Sequence, residues 1–73
     1  MSTHIQALVL RKDEFSKRDA DNWVKFHKFK PIKKMHETIH TYRYRLIEPN
    51  ENKYEYRMKK LCQGVKAVIE IPI

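Results

Sequence analysis

The sequence predicts a small α+β domain: one amphipathic helix packed on an antiparallel sheet of about five strands, in the order β-α-β-β-β-β. Three observations carry this. Tyr42-Arg43-Tyr44-Arg45-Leu46-Ile47 and Tyr54-Glu55-Tyr56-Arg57-Met58 alternate with a period of two, the signature of strands, whose successive side chains point to opposite faces. Lys17 to His27 alone has the three-and-four spacing of a helix. The length of 73 residues leaves room for a single domain spanning 1–73 with a small core.

Each element has a local cause. Ile5 to Leu10 is a branched apolar run that ends at Arg11-Lys12-Asp13-Glu14, and reads as the first strand. Ser16 with Asp19 three residues later is a capping-box arrangement, and Phe15 sits just before the cap. Ala20, Trp23, Val24 and His27 then form the apolar stripe of a helix ended by Pro31. No glycine is available to cap it, which places left-handed backbone strain at Lys28 or a neighbour. Ile32 to Glu37 reads as a second strand and Ile39 to Ile47 as a third. Glu48-Pro49-Asn50-Glu51-Asn52 is a polar turn leading into a fourth strand that closes at Leu61. Gln63-Gly64 supplies the last turn, and Val65 to Ile71 is the final strand.

Read as two arms of one hairpin, the tyrosine runs put Tyr42, Tyr44 and Leu46 on one face with Tyr54, Tyr56 and Met58. The other face then carries Arg43, Arg45, Arg57 and Lys59, with Glu55 as a counter-charge. The aromatic face is expected to turn inward under Trp23 and the basic face outward. Lys33, Lys34, Lys59 and Lys60 are placed to guard the sheet edges against pairing, which leaves the oligomeric state open.

Composition narrows the function. Sixteen Lys and Arg against nine Asp and Glu give a formal charge of +7, a balance that attracts polyanions and acidic protein surfaces. The longest uncharged apolar stretch, Ala7 to Leu10, is far below the roughly 20 residues that span a bilayer. Met1 to Gln6 lacks the pattern of a secretory leader, so an intracellular or virion location is expected. Cys62 is alone and reads as a structural residue at a strand end. His36 and His40 are four apart, but in strand and turn that spacing does not bring them together as zinc ligands. His27 suits a helix C-terminus. With one glycine, no paired carboxylates and no nucleophile motif, neither catalytic residues nor a cofactor or metal is expected.

The order of several short pieces resembles a family of small domains from tailed phages and large DNA viruses. These pieces are Lys12-Asp13-Glu14-Phe15-Ser16 after a strand, Ala20-Asp21-Asn22-Trp23-Val24-Lys25 followed by His27 and Phe29-Lys30, Tyr42-Arg43-Tyr44-Arg45, and the closing Leu61 with Gly64-Val65-Lys66-Ala67-Val68-Ile69. The likeness covers nearly the whole chain. It departs at Lys28 and Glu70, where such domains commonly have glycine. The family carries no assigned catalytic residues, so the resemblance implies a viral origin and a fold, not an activity.

The expected function is a non-enzymatic, virus-encoded accessory or structural protein that binds another viral or host protein through Arg43, Arg45, Arg57 and Lys59. The alternative is a nucleic-acid-binding module in which Tyr44 and Tyr56 stack on bases amid the same cations, as single-strand binders do. Inhibition of a host defence protein is a third reading. None of them involves a membrane.

Overall fold

The structure is a computed structural model describing residues 4–50 and 52–73. Met1 to Thr3, part of the segment read for a leader, and Glu51 of the predicted turn lie outside the described residues. The elements are β1 (His4–Arg11), α1 (Lys17–Phe26), β2 (His36–Glu37), β3 (Thr41–Arg45), β4 (Tyr54–Cys62) and β5 (Val65–Pro72). They form the predicted α+β fold, with one five-stranded sheet in the order β2-β3-β1-β5-β4 and every pairing antiparallel.

The sheet corrects the predicted hairpin: β3 and β4 do not pair. β3 lies between β1 and β2, while β4 is an edge strand held only by β5. β1 and β5 take the centre because they are the most apolar strands, β1 on both faces through Ala7-Leu8-Val9-Leu10 and β5 along its helix side with Val68 on the other, and a strand flanked on both sides offers the most burial. The link from β3 to β4 therefore crosses the end of the sheet. Gln6 anchors it at a bulge in β1: its carbonyl accepts from the backbone N–H groups of Leu46 and Ile47, and its side-chain amide donates to the Ile47 carbonyl at 2.9 Å.

The helix is bounded as its ends dictate. Ser16 Oγ accepts from the Asp19 backbone N–H at 3.1 Å, satisfying one of the free donors of the first turn. At the other end Lys28 adopts φ 62°. Its N–H reaches the Lys25 carbonyl, and that of Phe29 reaches the Val24 carbonyl, a Schellman closure built on a lysine where glycine would be unstrained. Trp23 stacks on Phe29 across this closure, with ring centroids 6.1 Å apart.

The core is one cluster between helix and sheet: Leu8, Leu10, Val65 and Ala67 from the two central strands, Tyr42 and Tyr44 from β3, and Ala20 and Val24 from the helix. Each large apolar side chain buried there contributes about 1.5–3 kcal/mol relative to exposure. Trp23 is only partly buried at its margin, and His27, counted in the predicted stripe, is exposed. The Gln63-Gly64 turn joins β4 to β5, with Gly64 at φ +79° and so close to Glu14 that an added Cβ would lie 2.6 Å from that residue's own Cβ. Glycine is thus required twice over, by conformation and by space.

Two strands are shorter than predicted. Of Ile32 to Glu37, only His36–Glu37 pairs with β3, because no apolar face runs through Lys33 and Lys34 to seat it on the core. Of Ile39 to Ile47, only Thr41–Arg45 is strand. Ile39 is exposed in a turn closed by Thr38, whose hydroxyl accepts from the Thr41 N–H at 3.0 Å.

Candidate contact face

Directly opposed residues of neighbouring strands share a face, so the register sorts the side chains. Leu8 opposes Tyr44 and Ala67, and Leu10 opposes Tyr42 and Val65, which defines the helix side. On the other, open side Val9 lies between Arg43 and Lys66, Ala7 lies between Arg45 and Val68, and Val68 faces Met58. Tyr56 is on this open side, opposite Glu70.

The predicted contact residues are therefore divided. Arg43 and Arg45 lie on the open face as expected. Arg57 opposes Ile69 and Lys59 opposes Ala67, so both belong to the helix side of the sheet, exposed at the β4 edge. The tyrosines divide in the opposite sense. Tyr42 and Tyr44 are buried under the helix, while Tyr54 and Tyr56 are half-buried on the open face, separated from Arg43 and Arg45 by the two central strands.

Tyr44 is removed from the contact surface altogether. Its side chain is 4% exposed and its hydroxyl donates to Asp21 Oδ1 at 2.5 Å. Burial, then the hydrogen bond to Asp21 and the charge of that carboxylate, hold the hydroxyl well above the usual phenol range. Tyr56 remains available along its ring. Its hydroxyl accepts from the Asn50 N–H at 2.5 Å and donates to Glu70 Oε2 at 3.3 Å.

Three further residues join the arginines. The Ile32 N–H donates to the Arg45 carbonyl at 2.9 Å, docking the segment after the helix onto the end of β3. This brings Lys33 and Lys34 alongside it, and His36 opposes Arg43 across the β2–β3 pair. Together they line an open cleft of about 390 Å³ whose floor includes Gln6 and Ala7. Among the described residues Glu48 answers this charge, 3.2 Å from Lys33 and 3.6 Å from Arg45. Lys34, His36 and Arg43 make no ion pair among the described residues. Lys33 and Lys34, expected from the sequence as edge guards, also line this cleft; the cue in the sequence is their place shortly after Pro31, which keeps this stretch out of the helix.

The neighbouring cation Lys12 is differently occupied. It bonds Glu37 Oε2 at 2.6 Å and lies 5.3 Å from the centre of the Tyr42 ring. Its hydrogen bond and charge draw the Glu37 carboxyl below its usual range. That pair ties β2 to the turn after β1 and leaves the cleft cations free of it.

His36 is in β2 and His40 in the following turn, and among the described residues no group of three His, Cys, Asp or Glu side chains is placed to hold a metal ion. No helix among them is long and apolar enough to cross a membrane. Cys62 is exposed at the end of β4. No family profile, curated protein or solved structure matches this chain.

Proposed function

We propose that the chain is a non-enzymatic binding module whose open sheet face contacts an acidic protein surface, in the viral accessory role that the sequence resemblance implies. The observation that carries the reading is the cleft at the β2–β3 edge, lined by Lys33, Lys34, His36, Arg43 and Arg45, of which only Lys33 and Arg45 reach a carboxylate among the described residues, that of Glu48. Beside it Val9 and Met58 continue an apolar strip across the face, with Ala7 and Val68 recessed between longer side chains. An apolar strip with a charged rim is the ordinary anatomy of a protein interface, and the sign of this rim selects an acidic partner.

A second reading rests on one observation: Tyr56 shares this face with Arg43 and Arg45, the combination used to stack and neutralise single-stranded nucleic acid. One titration tests both, using a glutamate-rich amphipathic peptide and a single-stranded oligonucleotide at about 0.15 M salt. The proposal expects the peptide to bind the wild type and to lose at least about tenfold in affinity on the double reversal Arg43→Glu, Arg45→Glu, with the fold intact by amide NMR. Binding of the oligonucleotide alone, weakened by Tyr56→Ala, would replace it with the second reading. Binding of neither, or peptide binding indifferent to the reversal, would overturn the face itself.

A further inference from the structure

The two edges of the sheet differ sharply. β2 is a two-residue edge too short to template another strand, whereas β4 presents nine residues beside β5 with no strand paired to its outer side among the described residues. The second half of β4 carries protection: Lys59 and Lys60 place charge on the edge, and the register slips between Lys60 and Cys62. The first half, Tyr54-Glu55-Tyr56-Arg57-Met58, has no bulge, no proline and balanced charge.

From this we infer that β4 pairs antiparallel with β4 of a second copy of the chain, about a two-fold axis through Tyr56, making one continuous ten-stranded sheet. The self-complementarity of the strand fixes both partner and register. A two-fold axis perpendicular to the sheet keeps each face on its own side, so only residues of the same face can oppose one another, and the axis must pass through a residue. Centred on Tyr56, Glu55 of each copy meets Arg57 of the other, twice. On the opposite face Tyr54 meets Met58 twice and Tyr56 meets itself. Centring on Arg57 sets Arg57 against Arg57, and centring on Met58 sets Arg57 against Lys59. Centring on Glu55 sets two carboxylates together. Centring on Tyr56 is the register that pairs all five residues of Tyr54 to Met58 with one another, whereas centring on Tyr54 would draw the turn before β4 into the pairing. Within those five residues the Tyr56 register sets no like charges opposite, and its nearest like pair, Lys53 with Lys59, falls just outside them.

In the single chain Glu55 and Arg57 are already aligned on one face, with Arg57 Nη2 3.6 Å from Glu55 Oε1. The second copy exchanges this weak exposed contact for two cross-strand pairs and supplies partners for the outer backbone groups of β4. The pairing is independent of the cleft at the opposite edge.

Sedimentation equilibrium at 0.15 M salt, where repulsion between the two +7 copies is screened beyond about 8 Å, tests it. The wild type is expected to show a concentration-dependent monomer–dimer equilibrium. Glu55→Arg alone and Arg57→Glu alone each set like charges opposite and should raise the dimer Kd about tenfold or more. Mixing these two variants should restore association as a heterodimer, because each strand then answers the other. The double swap Glu55→Arg, Arg57→Glu should restore the homodimer. A wild type that stays monomeric at millimolar concentration overturns the inference. So does a pair of folded single variants that dimerise like the wild type, or a mixture that does not associate.

Discussion

β3 and β4 are built on nearly the same pattern, Tyr42-Arg43-Tyr44-Arg45 against Tyr54-Glu55-Tyr56-Arg57, and meet opposite fates. In β3 the tyrosines face the helix and are buried, and the arginines face outward. In β4 the tyrosines lie on the open face, and Arg57 stands on the helix side beyond the helix's reach. Alternation states that the two faces of a strand differ. Which face is covered depends on the strand's neighbours, and here β1 and β5 stand between the two similar strands.

The largest effect should separate the two tyrosine positions. Tyr44→Ala removes a buried ring and leaves the Asp21 carboxylate without that donor, so a loss of about 3–5 kcal/mol is expected. Tyr56→Ala, half-exposed at the edge, should cost about 1 kcal/mol. Urea denaturation of both variants checks this, and equal losses would mean that β4 is packed as tightly as β3.

A second, smaller contrast lies in alkaline solution. The Tyr44 hydroxyl keeps its proton more firmly in the folded chain than in the unfolded one, whose phenols titrate near 10.0. Its contribution is therefore complete below about pH 10 and is lost as the pH rises from there toward the folded value. The urea midpoint of the wild type should fall between pH 9 and pH 11 more steeply than that of Tyr44→Phe, which has no such proton to lose. Parallel slopes would show that Tyr44 is not the group responsible.

The smallest expected change concerns the end of the helix that covers β3. Lys28→Gly removes the left-handed strain at φ 62° and should raise stability by about 0.5–1 kcal/mol in thermal unfolding. A loss would mean that the lysine side chain contributes more than the backbone strain costs.

Much of the fold was legible because its signals are local. Ser16 with Asp19 set the helix start, and the shortage of glycine pointed to strain at Lys28, where it is found and where the helix closes ahead of Pro31. The partner choice of β3 was illegible from adjacency, since strands that follow each other in sequence need not be neighbours in space. A cue was nevertheless present: Ala7 to Leu10 and Val65 to Ile69 are apolar or nearly so on both faces, the mark of central strands, while Tyr54 to Lys60 carries charged or polar groups on both, the mark of an edge. The outward placement of two of the arginines was legible for the same reason. Arg43 and Arg45 follow from alternation within one strand, whereas Lys33, Lys34 and His36 join them only through the docking of Ile32 on Arg45.

The central position of β1 also bears on how the chain reaches this fold. Its two neighbours are a strand from the middle of the chain and the strand that ends it. This apolar strand thus stays unpaired on one side until β5, far along the chain, docks on it. Loop closures of that span slow folding and discourage stable halves, so the domain should fold in one concerted step, on the millisecond-to-second scale of sheet-rich domains instead of the microseconds of a helical bundle.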